Sequence, residues 1–138
     1  MGEADRLFGQ EHVERYRETG GEVGHDWNGA SVLLLTTTGR QTGEPYTTPL
    51  IYGEDDGEYV VIASKGGAAD HPDWYYNLEA DPQAQVQVWD DVMDVKASTV
   101  SGDRRERLWD LMTEQWPDYD EYAEKTDREI PVVVLTPR

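Results

Sequence analysis

Cysteine is missing from this 138-residue chain, which removes disulfides and thiol nucleophiles from the possible chemistry. Histidine is scarce, and His12, His25 and His71 share no metal-ligand spacing, so a metal-centred hydrolase is not expected. No apolar run approaches the roughly 18 residues that a membrane-spanning helix needs. The start, Met1-Gly2-Glu3-Ala4-Asp5, has no basic region followed by an apolar one. Neither a transmembrane segment nor a signal peptide is expected, and a soluble cytoplasmic protein is the simplest reading. No Rossmann or P-loop glycine fingerprint follows any candidate strand, and no nucleophile-elbow serine occurs. Lysine is nearly absent as well: Lys65, Lys96 and Lys125 are the only three.

Acid fills the space that base leaves. Twenty-nine acidic residues face twelve basic ones, giving a formal net charge of −17. Nucleic acid is excluded as a natural partner, because phosphate binding needs clustered Lys and Arg. The acids are dispersed singly and in pairs rather than in blocks. That favours halophilic solvation over an acidic mimic docked on a basic protein. In such a field, a cation that must hold an anion stands out.

One domain is expected, with residues 1–30 forming an N-terminal helix (3 to about 18) and a glycine-rich connection. His25, within that connection, is expected to be solvated and is assigned no role. Residues 31–38 are a strand whose continuous apolar run implies burial on both faces. Residues 39–45 are a turn with a basic-polar tip, and 46–52 return as a strand. Pro49 places that strand at an edge or a bulge. A hairpin at Asp55-Asp56-Gly57 leads into a strand over 58–64. A short helix is predicted from Pro72 to about 80, strands over 84–89 and 92–100, and a helix over 103–116. A second short helix over 119–125 and a last strand over 131–136 follow. About six antiparallel strands with flanking helices make a mainly β (α+β) chain, best read as a small closed or split β-barrel.

The most informative stretch is Val60-Val61-Ile62-Ala63-Ser64-Lys65-Gly66-Gly67, a buried strand that delivers a hydroxyl, an ammonium and two glycines to its end. Alone, the pattern also fits an ordinary strand exit with a solvated lysine. Its neighbours sharpen it. Arg40, Gln41 and Thr42 occupy one turn, and Gly66 and Gly67 could offer backbone N–H groups to an anion. The helix beginning near Pro72 could add a partly positive end. Tyr119 and Tyr122 lie three apart on a short acidic segment and could present phenol groups to a pocket. A serine–lysine catalytic pair is not expected, since adjacent strand residues face opposite sides.

The chain resembles the deazaflavin-dependent nitroreductase family, whose members use coenzyme F420 and include quinone-reducing enzymes. The resemblance is carried by Leu33-Leu34-Leu35-Thr36-Thr37-Thr38-Gly39-Arg40, Thr42-Gly43-Glu44-Pro45 and Thr48-Pro49-Leu50. It continues in 61–68, in His71-Pro72-Asp73-Trp74-Tyr75-Tyr76-Asn77-Leu78, in Asp81-Pro82, in 119–122 and in Thr126-Asp127-Arg128-Glu129-Ile130-Pro131-Val132.

The resemblance implies a split β-barrel like that of flavin-binding reductases, with the deazaflavin in a cationic groove. By the same resemblance, Arg40, Gln41, Thr42, Tyr46, Thr48, Pro49, Leu50, Ile51, Ile62, Ala63, Ser64 and Lys65 line the cofactor. Asp73, Trp74, Tyr75, Tyr76, Asn77 and Tyr119 complete that set. Ser64, Tyr119 and Tyr122 are implied on the acceptor side, in substrate binding or proton supply. The chain departs at Gln41, where many members have a second basic residue, and at Trp116, where some have tyrosine. The expected activity is hydride transfer from reduced F420 to a quinone, nitroaromatic or similar small-molecule acceptor. A flavin mononucleotide (FMN) reductase on the same barrel and a non-catalytic acidic cofactor-binding protein are the alternatives. Monomer and homodimer are both left open.

Overall fold

The computed structural model describes residues 6–138. Four helices and eight strands follow in the order α1 (Gly9–Thr19), β1 (Asp26–Trp27), β2 (Ala30–Thr38), β3 (Pro45–Ile51), β4 (Gly53–Asp55) and β5 (Glu58–Ile62). Then come α2 (Asp73–Ala80), β6 (Gln83–Val88), β7 (Asp91–Val100), α3 (Gly102–Gln115), α4 (Asp118–Glu124) and β8 (Val132–Pro137). The first part of the expected N-terminal helix, residues 3–5, lies outside the described residues. Leu7 and Phe8 do not join α1. Phe8 is extended and Gly9 takes a left-handed φ of +61°, so the helix starts there.

All pairings are antiparallel. The sheet runs β3-β2-β6-β7-β8-β5-β4, with β1 as a short hairpin arm on the start of β2. Its two edges belong to one continuous run of chain. Residues 45–51 pair with β2, Tyr52 turns the corner, and residues 53–55 pair with β5. That shared segment curls the sheet into a barrel, as the strand pattern led one to expect. Pro49 sits opposite Leu34 on β3, whose only ladder partner among the described residues is β2, so its missing N–H costs no pairing on the outer side.

Period-two alternation explains why β2, β5 and β8 look continuously apolar: each is covered on both faces. Leu33, Leu35, Val61, Val133 and Leu135 face the barrel interior, where α2 adds Trp74, Tyr75 and Leu78. Val60, Ile62, Val132 and Val134 face outward against Leu108 and Met112 of α3 and Tyr119 of α4. Val32 and Leu34 receive Val13 and Tyr16 of α1. Each fully buried Val or Leu side chain stabilises by about 1.5–3 kcal/mol relative to exposure. On α3 only Leu108 and Met112 are buried. Its register is therefore set in part by Arg104 on Glu58 and Arg107 on Asp55, at 2.8 and 2.9 Å.

No helix among the described residues is long and apolar enough to cross a membrane.

Candidate functional site

A cleft of about 530 Å³ opens between the β2–β3 turn, β3, the loop after β5 and the start of α2. The turn is held by Gly39 and Glu44: the Gly39 N–H donates to the Glu44 carbonyl at 2.8 Å. A Cβ on Gly39 would overlap the Tyr46 ring, so glycine is what lets that ring close over the turn. Arg40 then points back toward α2. Its Nη1 donates to Asn77 Oδ1 at 2.9 Å and its backbone N–H to the same oxygen at 3.1 Å. Its Nη2 lies 3.6 Å from Asp73 Oδ1, and the guanidinium covers the Tyr76 ring at 5.3 Å. Asn77 is buried and donates in turn to Thr37 Oγ1 at 3.1 Å. The turn and α2 are thereby locked into one wall.

Lys65 lines the cleft from the loop after β5. After β5 the chain makes a single 3₁₀ turn over Lys65–Gly67, in which three successive residues have φ of +47°, +63° and +84°. A left-handed lysine costs roughly 1–2 kcal/mol. The turn offsets part of that through Gly67 N–H to the Ser64 carbonyl at 2.9 Å and Ala68 N–H to the Lys65 carbonyl at 3.1 Å. The Gly67 N–H is consequently not open to an anion, contrary to the nest expected from the two glycines. Gly67 serves packing instead, since a Cβ there would sit 2.6 Å from the Tyr122 carbonyl on α4.

Nine of the residues expected at the cofactor line this cleft: Arg40, Gln41, Thr42, Tyr46, Thr48, Lys65, Asp73, Trp74 and Asn77. Thr37, Gly39, Thr47 and Pro72 line it as well. The remaining expected residues lie elsewhere. Pro49 and Ile51 border a smaller apolar hollow of about 230 Å³, which meets the cleft at Thr48 and also touches Phe8 and Trp27. Leu50, Ala63 and Tyr75 belong to the barrel interior, and the Tyr75 hydroxyl contacts Thr99 Oγ1 at 2.9 Å. Tyr76 supports Arg40 from behind. Ile62 and Tyr119 are buried together against α3, where burial raises the Tyr119 phenol well above its ordinary range. Tyr122 stands half-buried beside it, accepting from Trp116 Nε1 at 3.4 Å.

Ser64 is buried, and its carbonyl accepts from Arg128 Nη2 at 2.7 Å. Arg128 also donates from Nε to the Ala68 carbonyl at 2.8 Å, and from Nη1 to the Ala63 carbonyl and His71 Nδ1. One guanidinium thus pins the whole Ala63–His71 loop that carries Lys65. Burial and then the neighbouring cation hold the His71 ring below its usual value. Sequence reasoning assigned Arg128 nothing beyond a place in a matching motif, because its acceptors lie about sixty residues away in the chain.

His25 departs from expectation too. It is buried, with Nδ1 on Asp26 Oδ1 and Nε2 on the Tyr52 hydroxyl, both at 2.8 Å, and its ring stacks on Trp89 at 3.7 Å. Its partners come from the barrel corner and the β6–β7 turn, which loop composition does not announce. Among the described residues no group of three or more acidic or histidine side chains could hold a metal ion.

The cleft suits an elongated anionic ring compound. Lys65 is exposed and has no carboxylate partner among the described residues. Arg40 lines the same cleft, and Trp74 and Tyr46 add ring surfaces to its lining. In a chain of net charge −17, an uncompensated ammonium at a cleft is a local reversal of field.

Residues 8–137 match the model of the F420H2-dependent quinone reductase family. An F420H2-dependent quinone reductase of Mycobacterium tuberculosis strain H37Rv is 42% identical over 131 residues, covering 92% of this chain and 88% of that protein. The solved structure of an F420-H2 dependent reductase, FDR-A, is 44% identical, with a TM-score of 0.70 over 75% of this chain and 92% of that one. A domain-swapped dimer is 40% identical, with a TM-score of 0.74 over 91% and 95%. The haem storage protein HutZ of Vibrio cholerae shares the fold at 18% identity and a TM-score of 0.62, covering 96% of this chain and 92% of that one. The chain belongs to the F420H2-dependent quinone reductase family.

Proposed function

We propose that this chain is an oxidoreductase that reduces a quinone, or a nitroaromatic or similarly activated small molecule, with reduced coenzyme F420. The observation that carries the reading is that Lys65 and Arg40, two of the chain's few cations, line one cleft together with Trp74. When bound there, the deazaflavin supplies the hydride. The chain's own residues do the rest. Lys65 and Arg40 would hold its phosphate and tail, with Gln41, Thr42 and Tyr46 lining the same cleft. Trp74 and the buried wall of α2 keep water from the reacting face.

An acceptor oxygen that gains charge needs a proton. Tyr122 is assigned that task, because its hydroxyl oxygen already accepts from Trp116 Nε1 and leaves its own proton to donate outward. Ser64 sits with it on the acceptor side, and Tyr119 backs both from the core. One deazaflavin-binding domain spans the chain, which works in a salty cytoplasm where the dispersed acids are solvated. Either a monomer or a homodimer is compatible with the cleft.

The test is a fluorescence titration in high salt with F420 and, separately, with flavin mononucleotide, followed by oxidation of reduced F420 by menadione. Binding of F420 in preference to the flavin and steady turnover are expected. Tight binding of flavin mononucleotide alone would point to the flavin reductase. Binding without turnover would leave a carrier.

A further inference from the structure

Among the described residues, Asp73 is the one carboxylate that lines the cleft. Arg40 and Lys65 bring two positive charges to the same lining, and Asp73 cancels one of them. It does so at close range. Asp73 Oδ1 lies 3.6 Å from Arg40 Nη2, and the Asp73 carbonyl accepts from Nη1 at 3.4 Å.

The carboxylate is the loosest hold on that guanidinium. Its contact is longer than a hydrogen bond, and the Asp73 side chain is 89% exposed against 34% for Arg40. Solvent-exposed pairs of this kind contribute little to stability. The other partners of Arg40 are firmer. Buried Asn77 accepts from Nη1 at 2.9 Å and from the Arg40 backbone N–H at 3.1 Å, and the Tyr76 ring centroid lies 5.3 Å from the guanidinium carbon. They hold the guanidinium whether or not Asp73 stays on it. Asp73 is also the first residue of α2, where the helix amides favour negative charge. Its carboxylate can therefore leave Nη2 without becoming isolated.

We infer that Asp73 competes with the cofactor for Arg40, a step that rests on the F420 reading above. The carboxylate occupies Nη2 and yields it when an anionic group of the cofactor binds the guanidinium. Asp73 thereby limits how strongly the cleft holds an anion, and it selects ligands that add ring contacts to their charge. A competitor and a direct cofactor contact predict opposite signs when the charge is removed.

The experiment is a fluorescence titration with three ligands: intact F420, the deazaflavin fragment that lacks phosphate and tail, and flavin mononucleotide. The proteins are the wild type, Asp73→Asn, Asp73→Glu and Glu79→Gln. Asp73→Asn should tighten F420 about fivefold, the effect of one exposed ion pair. It should leave the fragment's affinity unchanged, and the gain should shrink as salt is raised. Asp73→Glu keeps the carboxylate and should bind F420 as the wild type does. Glu79→Gln removes the same charge from α2 outside the cleft lining and should have little effect. Unchanged F420 affinity in Asp73→Asn would overturn the competition, and weaker binding would make Asp73 a cofactor contact instead. An equal gain for the fragment, or in Glu79→Gln, would also overturn it, as a change of cleft shape or of the general field. If the wild type bound flavin mononucleotide and not F420, the F420 reading would fall. The competition would then stand if Asp73→Asn tightened flavin mononucleotide, and fall if it did not. If neither ligand bound, both would fall.

Discussion

Arg128 donates from Nη1 to Nδ1 of His71 at 3.0 Å, across 57 residues of chain. The contact requires His71 to be neutral with its proton on Nε2, because a protonated ring has no acceptor left and would add a second cation. The ring's folded pKa is lowered from 6.5, mainly by burial and secondly by Arg128. A depressed histidine favours proton uptake by the unfolded chain. The contribution is therefore complete above about pH 6.5 and is lost as pH falls from there through the folded value. Denaturant midpoints taken between pH 7.5 and 5 should show this decline. His71→Asn, which keeps an acceptor and cannot titrate, should remove it. An unchanged pH slope in His71→Asn would show that the histidine is not the titrating group.

Arg128 itself should matter more than any surface arginine. Truncation to Ala strips the Ala63, Ser64 and Ala68 carbonyls of their donors. The expected loss is about 2–3 kcal/mol in chemical denaturation. Lysine should recover only a fraction, since one ammonium cannot span acceptors that a guanidinium fork reaches together. F420 affinity should fall in parallel, because Lys65 rides on this loop. A destabilised variant with undiminished affinity would separate the loop from the cofactor site.

Gly66 and Gly67 look alike in sequence and should respond differently to alanine. Both have positive φ, but a Cβ on Gly66 enters open space, whereas one on Gly67 meets the Tyr122 carbonyl at 2.6 Å and Lys125 Cβ at 3.0 Å. Gly66→Ala should cost about 1–2 kcal/mol of backbone strain alone. Gly67→Ala should cost about 2–4 kcal/mol and displace α4, because overlap adds to strain. Thermal denaturation of the two variants side by side measures the difference.

These positions show what the sequence could and could not convey. The strands β2, β5 and β8 were legible because two covered faces erase the alternation and leave unbroken β-branched runs. Arg40 and Lys65 were legible because basic residues are rare here and both sit beside turn chemistry. What stayed hidden depends on distant contacts. His25 is buried by Tyr52 and Trp89, Gly67 is glycine because of Tyr122, and Arg128 works through carbonyls some sixty residues away. Tyr52 and the three-residue β4 complete the barrel, yet a bend between two short strands carries no periodic signal.

Lys65 offers the cleanest separation of binding from folding. Its ammonium has no protein partner among the described residues, so Lys65→Ala should change stability by no more than about 0.5 kcal/mol. F420 affinity should fall about tenfold, the size of one charge-assisted contact to phosphate. Fluorescence titration reads the affinity and chemical denaturation reads the fold. An unchanged affinity would mean that the phosphate lies elsewhere in the cleft.

Two tyrosines compete for the proton, and their surroundings rank them. Tyr119 is enclosed by Ile62, Leu108 and Met112, and burial keeps its phenol protonated far above neutral pH. Tyr122 is only half-buried, and among the described residues Trp116 Nε1 donates to its oxygen. Tyr122→Phe should lower kcat with menadione about 10–100-fold at saturating F420 while leaving cofactor affinity intact. Tyr119→Phe should lower stability by about 1 kcal/mol and change kcat little. Trp116→Phe removes the donor to Tyr122 without touching its hydroxyl, so it should give an intermediate rate. If Tyr119→Phe, rather than Tyr122→Phe, carried the loss of kcat, the proton would have to leave from the core side of α4. The acceptor would then bind against Ile62 and not against Trp116.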